Sequence, residues 1–185
     1  MRFSENRTIA IIVLVACVLG SVFGLGGMGL ARERGKVLTV FDAGTDPSLP
    51  SRHSMDAYLD SASERALVMA GEYEIYLGES QLTQDVTSEA GAIADDPSGV
   101  DARYAAYARL TPHVEQMYNK LYGDVDSSQF RNFKLAYDDF KGFTDLIERD
   151  DYHKLAKGYN GMISGFPGSI VAGIMGQGAL NTFGG

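Results

Sequence analysis

Three histidines and one cysteine are the residues whose types could bind a metal or act as a nucleophile. A metal site would need His or Cys partners at ligand spacing, as in HExxH, and His53, His113 and His153 each stand apart from such partners. A nucleophile would need an activating motif such as G-x-S-x-G, which is missing, and the single cysteine, Cys17, lies in a long apolar segment. The sequence therefore predicts no catalytic, cofactor-binding or metal-binding residue, and we do not expect an enzyme.

Pairs of neighbouring carboxylates and one glycine-rich stretch could also do chemistry. Asp138 with Asp139, and Asp150 with Asp151, supply the oxygen ligands that calcium prefers. Adjacent helical residues point in different directions, however, and EF-hand spacing is missing, so we expect both pairs to lie on solvated helix faces. The stretch GLGGMG at 24–29 follows no predicted strand, so it does not indicate a dinucleotide-binding loop.

Aromatic residues recur at helical spacing later in the chain, at Phe130, Phe133, Tyr137 and Phe140. Steps of three and four residues place these rings on one face of a helix, where they would form the core of a helical bundle. The alternative is a groove between the helices that binds an apolar ligand. The spacing favours the core.

The charge of the chain is unevenly divided. Residues 37–185 carry 22 acidic and 11 basic residues, whereas residues 1–36 carry two acidic and five basic residues. An acidic domain repels phosphate backbones, so we expect no nucleic-acid partner.

A long apolar segment near the amino terminus requires an apolar environment. Residues 8–31, TIAIIVLVACVLGSVFGLGGMGLA, are 24 residues without a charge, which is long enough to cross a hydrocarbon core of about 30 Å as a helix. We expect an uncleaved signal anchor with the lipid bilayer as its partner. The alternatives are a cleaved signal peptide and a lipoprotein signal, in which Cys17 would end a lipobox-like sequence. The GxxxG spacing of Gly20 and Gly24 predicts a homo-oligomer contact.

Basic residues flank both ends of this segment and bear on its orientation. Arg2 and Arg7 precede it, and Arg32, Arg34 and Lys36 follow it, so the positive-inside rule nearly ties. A basic flank before an apolar run is typical of a signal anchor. We therefore expect a single-pass protein of the cell membrane with its domain on the extracytoplasmic side.

The remainder of the chain has the periodicity of helices. Apolar residues recur at steps of three and four from Met55 to Ile93, then from Tyr104 to Leu121, and then from Phe130 to Phe166. Turn signals at 95–99 and 122–128 separate these stretches, and a helix restart is expected where Pro112 follows a possible capping residue. The fold class is therefore all-α. The predicted organisation is a basic flank at 1–7, the anchor at 8–31, a linker at 32–53, a helical bundle at 54–166 and a glycine-rich apolar tail at 167–185.

The tail is unusual because residues 158–185 contain no charged residue and no histidine. The proline at 167 disfavours helical angles in the residue before it, so the preceding helix should end there. The following run, SIVAGIMG, is too short for a good membrane span. We expect it to fold back over the bundle, and the alternative is a position near the bilayer surface.

The segment DYHKLAKGYNGMISGFPGSIVAG, at 151–173, resembles the carboxyl-terminal signature of LemA family membrane proteins. That signature has tyrosines seven residues apart and then YN-x-x-I-x-x-FP with an apolar run, and this chain matches it at Tyr152, Tyr159, Asn160, Ile163, Phe166, Pro167, Ile170, Val171 and Ala172. The chain departs from the family earlier, because SERALVMAGEYEIYLG at 63–78 stands where the family has an R-R-x-D-L-I-P-N-L-V segment. It also lacks the usual G-F after the apolar run.

The resemblance implies a single amino-terminal transmembrane helix followed by an antiparallel bundle of about four helices. It supplies no activity, because the family has no agreed molecular function. Together these observations predict a membrane-anchored interaction or scaffold protein of the bacterial cell envelope, with another envelope protein as its partner. The alternative function is a binding protein that holds an apolar ligand between the bundle helices.

Overall fold

The computed structural model describes residues 7–46, 53–94, 99–124 and 130–183, and of six residues within helices it describes the backbone alone: Thr8, Leu19, Val22, Phe23, Gly123 and Asp124. Over these ranges the chain forms helices and no strand, which confirms the all-α prediction. The helices are α1 (Arg7–Ala43), α2 (Met55–Leu77), α3 (Gln81–Ala94), α4 (Val100–Asp124), α5 (Arg131–Arg149), α6 (Tyr152–Ser164) and α7 (Gly168–Ile174).

The predicted transmembrane helix at 8–31 is wrong as a membrane-crossing element. Across the part of the chain that was described, no helix is both long enough and apolar enough to span a bilayer. Within that segment, every described side chain from Ile9 to Val18 is exposed. Further along α1, the glycines become frequent, and Leu30 is buried against other parts of the protein.

Helix α1 continues well beyond the apolar segment, through residues predicted as a linker. It includes Arg32, Arg34 and Lys36 and ends at Ala43. Gly44 then turns the chain with φ of +78°, and its backbone N–H donates to the carbonyl of Val40 at 2.8 Å. A side chain at residue 44 would be strained because of this positive φ, and its Cβ would also lie 2.7 Å from the His53 carbonyl oxygen. Both prolines of the predicted linker lie outside the described residues.

The chain divides into two compact units. Unit 1 is formed by residues of Met1–Leu38 and Leu155–Leu180, and unit 2 by residues of Thr39–Lys154 and Asn181–Gly185. In unit 1, Val171 and Ala172 of α7 are buried against Leu30 of α1, and Ile163 of α6 packs beside them. The apolar tail run thus forms a short helix with one buried face.

Unit 2 is a helical bundle, as the periodicity predicted. Helix α2 packs against α3, α4 and α5, and α4 also packs against α3 and α5. The core is formed by the apolar stripes of these helices, among them Leu59, Ala66 and Met69 of α2, Val86 and Ile93 of α3, Leu110, Val114 and Met117 of α4, and Phe133, Phe140 and Ile147 of α5.

The predicted first helix of the bundle is in fact two helices. Gly78 ends α2 with φ of +78°, and its backbone N–H donates to the Glu74 carbonyl at 2.9 Å. Ser80 and Thr83 then cap α3 reciprocally, because each hydroxyl oxygen accepts a hydrogen bond from the other residue's backbone N–H. This glycine and this pair of capping residues explain why one apolar pattern is interrupted.

The predicted restart at Pro112 is also wrong, because α4 is continuous through it. The Thr111 hydroxyl donates to the Tyr107 carbonyl at 3.1 Å, within the helix, instead of capping a new one. Proline removes one helical hydrogen bond, and packing of Leu110, Val114 and Met117 in the core offsets that loss. Most of the predicted turns at 95–99 and 122–128 lies outside the described residues.

Candidate functional site

The most unusual surface of unit 1 is the amino-terminal part of α1. Every described side chain from Ile9 to Val18 is exposed, including Ile9, Ile11, Ile12, Val13, Leu14, Val15 and Val18. Monomeric soluble proteins rarely expose a contiguous apolar patch larger than a few hundred Å². A segment that is apolar on all sides requires a covering other than water.

A second exposed apolar surface of unit 1 lies on α6, α7 and the turn between them. Phe166 is 86% exposed, and Ile170, Ile174 and Met175 are also exposed. The turn itself is tight, because a Cβ at Gly168 would lie 1.9 Å from the Met162 carbonyl oxygen. Only glycine fits there, so the backbone geometry that presents Phe166 depends on this residue.

An open groove of about 610 Å³ lies in unit 1 between α1 and the α6–α7 segment. Gly26, Gly29 and Leu30 of α1 form part of its lining, and α6 and α7 contribute Gly161 and Val171 among others. The groove is lined mainly by small and apolar residues. A smaller depression of about 490 Å³ in unit 2 follows a single helix, α5, and is lined largely by charged residues.

Within unit 1, Tyr159 and Asn160 of α6 hold the segment at 177–180 against that helix. The Asn160 side chain makes two hydrogen bonds to Leu180, donating to its carbonyl and accepting from its backbone N–H, both at 2.8 Å. The Tyr159 hydroxyl donates to Oε1 of Gln177 at 3.2 Å. Burial raises the pKa of Tyr159, although the positive charge of Arg34 acts in the opposite direction. These residues therefore have a structural role.

The last described residue, Phe183, lies in an aromatic cluster within unit 2. Its side chain is fully buried, with ring centroids 5.3 Å from Tyr104, 5.9 Å from Tyr107 and 6.0 Å from Phe41. The Tyr152 hydroxyl donates to the Asn181 carbonyl at 2.8 Å and so holds the segment that precedes this ring.

A buried arginine joins α4 to α2. Arg103 is only 10% exposed at its side chain, and its two terminal nitrogens donate to Oδ1 of Asp56 and Oδ1 of Asp60. The two aspartates are one helical turn apart, so one guanidinium can bind both. Burial lowers the pKa of Arg103, which the nearby Asp42 partly counteracts, and burial raises the pKa of Asp60, with a further contribution from Glu64.

A second buried charge joins α3 to α4. Glu89 lies near Arg109, with its Oε1 3.6 Å from that residue's Nε, and its Oε2 lies 2.9 Å from Nδ1 of His113. Both Glu89 and Arg103 occupy positions on the apolar stripe of their helix. A charge at such a position is the sequence signal for these interhelical contacts, which the predicted site residues did not include.

A third polar cluster joins α4 to α5. Oε2 of Glu115 accepts from the Tyr137 hydroxyl at 2.7 Å, and Oε1 accepts from Nζ of Lys141 at 3.0 Å. Burial acts to raise the pKa of Glu115, but the hydrogen bonds from Tyr137 and Lys141 outweigh it and hold the pKa below its usual range. Burial and the hydrogen bond to Glu115 raise the pKa of Tyr137.

Replacing Glu115 by glutamine should remove part of the acid sensitivity of the bundle. A carboxylate whose pKa is lower in the folded state stabilises the protein above its unfolded pKa, and that contribution is lost as pH falls through the folded pKa. Because Glu115 is partly exposed, we expect the substitution to lower the free energy of unfolding by about 0.5–1 kcal/mol at pH 7 and by less in acid. Urea unfolding at pH 7 and in acid measures both, with Asp145→Asn, which breaks an exposed ion pair to Arg149, as the control. A glutamine variant as acid-sensitive as the native protein would contradict this assignment.

The three histidines are not brought together. Nδ1 of His53 lies 3.4 Å from the Tyr58 hydroxyl, His113 contacts Glu89, and Nε2 of His153 donates to the Ile147 carbonyl at 2.5 Å. Within the described ranges, no group of three or more His, Cys, Asp and Glu residues is arranged to hold a metal ion.

The cysteine and the carboxylate pairs also occupy separate places. Cys17 is exposed on α1. Asp138 and Asp139 are exposed, and they pair with Lys134 at 2.7 Å and with Arg65 at 3.8 Å. Asp150 accepts the backbone N–H of Tyr152 at 2.8 Å, at the start of α6, and its neighbour Asp151 is exposed.

The aromatic stripe lies in the core of unit 2. Phe130, Phe133 and Phe140 are fully buried, and neither of the two depressions described above is lined by them. Tyr137 is half-buried and stacks on Tyr118 with a centroid distance of 3.8 Å.

Comparisons with protein-family models, with curated proteins and with solved structures gave no match for this chain.

Proposed function

We propose that this protein is a helical interaction protein that associates with a lipid bilayer through the amino-terminal part of α1 and presents the acidic bundle of unit 2 to a protein partner. The proposal concerns association with the bilayer and does not include a membrane-crossing helix. It assigns no catalytic reaction.

The observation that carries the proposal is the exposed apolar segment from Ile9 to Val18. Burying one Ile, Leu or Val side chain away from water contributes about 1.5–3 kcal/mol, so several of them together outweigh the cost of immobilising a helix at a bilayer. Two exposed basic residues, Arg7 and Arg32, flank the charge-free run at 8–31 that contains this segment. Their charge would attract anionic lipid headgroups, at about 1 kcal/mol for each residue near the surface.

Flotation with lipid vesicles tests this association. We expect the native protein to float with vesicles that contain anionic lipid, and the double variant Ile11→Glu/Leu14→Glu to stay at the bottom of the gradient. The two side chains are 60% and 65% exposed, so the substitutions should not disturb folding. Loss of two buried apolar side chains should weaken binding by at least about 100-fold.

The matched control also replaces two exposed apolar side chains by glutamate, but on α5, as Leu135→Glu/Leu146→Glu. These leucines are exposed in unit 2, so the control should float like the native protein. Equal flotation of the α1 variant and the native protein would show that α1 does not hold the protein at the bilayer.

Crosslinking at native expression levels, after gentle detergent extraction, tests the protein-interaction half of the proposal. We expect adducts between the bundle and a second protein, and their loss when the protein is unfolded before crosslinking. Recovery of the monomer alone would contradict an interaction function.

Three further predictions accompany this proposal. Kinship with the LemA family stays a prediction from the residues at 151–173, as does a position on the extracytoplasmic side of the cell membrane. A homo-oligomer contact at Gly20 and Gly24 also stays a prediction. Both glycines are exposed on α1, and an added Cβ at either would meet no heavy atom within 4 Å.

A further inference from the structure

The turn between α6 and α7 exposes apolar side chains in a part of the chain that has no charge. Phe166 is the most exposed large apolar side chain of the described residues, at 86%. Ile170 and Ile174 follow it at steps of four residues and are also exposed. From residue 158 to the last residue, the sequence contains no charged residue.

The opposite face of α7 is fixed to α1 within unit 1. Val171 and Ala172 are buried together with Leu30. Gly27 is so close to the end of α7 that an added Cβ would lie 2.6 Å from the sulfur of Met175, the residue that follows the helix. The α1 residues at this contact belong to the same charge-free run that contains Ile9–Val18. Leu25 and Met28, on either side of Gly27, are exposed as well.

We infer that the α6–α7 turn is a second bilayer-contacting element, in which Phe166, Ile170 and Ile174 enter the apolar layer of the same bilayer that α1 binds. This inference rests on the proposed function. The hydrocarbon of the lipid would cover the apolar face formed by these three side chains.

The distribution of charge supports a lipid over a protein as the occupant. In unit 1 the charged residues of α1 that follow the apolar run begin at Arg32, and Lys157 is the last charged residue of the chain. Apart from Leu155, the large apolar residues that are exposed in the described part of unit 1 therefore belong to two chain segments without charge. Protein interfaces usually have a polar rim, whereas a hydrocarbon layer excludes charge and tolerates exposed Phe and Ile side chains.

Tryptophan fluorescence offers a direct test, because the native chain contains no tryptophan. The full-length variant Phe166→Trp is mixed with vesicles that contain anionic lipid and brominated phosphatidylcholine, whose bromine atoms quench fluorophores within the acyl layer. We expect its emission to shift to shorter wavelength and to lose most of its intensity. The substitution is conservative at an exposed position, so folding should be unaffected.

Two further single-tryptophan variants separate the possible results. Leu14→Trp reports on α1, and Tyr122→Trp, an exposed position of unit 2, should keep its emission. Quenching at Leu14→Trp without quenching at Phe166→Trp would overturn the inference and leave the proposed function intact. Quenching at neither position would overturn both.

A binding measurement adds a second readout. The variant Ile170→Glu/Ile174→Glu should bind the same vesicles at least about tenfold more weakly than the native protein. Unchanged vesicle affinity in this variant would also overturn the inference.

Discussion

Replacing Phe183 by alanine should lower the free energy of unfolding of the bundle by about 3–5 kcal/mol. The ring is fully buried, and its removal would leave a cavity among Phe41, Tyr104 and Tyr107. Those rings would also lose aromatic contacts that contribute beyond their buried area. Urea unfolding followed by circular dichroism, in a mild detergent that covers α1, measures the change.

The matched control is Phe166→Ala, which removes the same ring from an exposed position. We expect its free energy of unfolding to stay within about 0.5 kcal/mol of the native value. Equal losses in the two variants would mean that the aromatic cluster does not support the bundle.

Replacing Arg103 by alanine should lower the free energy of unfolding of the bundle by about 2–4 kcal/mol, which is the second largest effect we expect. Removing one partner of a buried ion pair leaves the other partners with uncompensated charge, at about 3–5 kcal/mol. The value is reduced here because Asp56 and Asp60 are 36% and 49% exposed at their side chains and water can solvate them in part. Arg103→Lys should recover little, because an ammonium group lacks the planar fork that reaches both carboxylates.

Removal of an exposed arginine is the control for this effect. Arg149 pairs with Asp145 at 3.5 Å on the surface of α5, so Arg149→Ala should change the free energy of unfolding by less than about 0.5 kcal/mol. The double variant Asp56→Asn/Asp60→Asn provides a cycle with Arg103→Ala. Additive losses in that cycle would contradict a clamp between α2 and α4.

Local patterns in the sequence predicted the helices of the bundle but not all of their boundaries. The apolar stripes identified Phe133, Phe140 and Leu110 as core residues, and all three are fully buried. The break after Leu77 was missed, because a glycine and two capping residues interrupt an apolar pattern that continues on both sides. The continuity through Pro112 was missed because core packing overrides the preference of a single residue.

For the apolar segment at 8–31, the sequence predicted the helix but not its full length or its packing. Its composition and length predicted a helix, and α1 is a helix over that segment. Composition did not reveal that α1 continues to Ala43, or that Leu30 is covered by α7. The sequence describes how apolar a stretch is, whereas only the packing shows which of its side chains are already buried.

The sequence by itself determined the helical class, the division into an apolar amino-terminal part and an acidic bundle, and the uncharged character of the tail. These properties depend on composition and on the spacing of near neighbours, which are visible in one chain. Only the tertiary structure decided that Tyr159 and Asn160 hold the tail, that Phe183 enters an aromatic cluster and that Arg103 joins two helices. Such contacts join residues far apart in the chain, for example Arg103 and Asp60, and no local pattern specifies which distant partner a side chain meets.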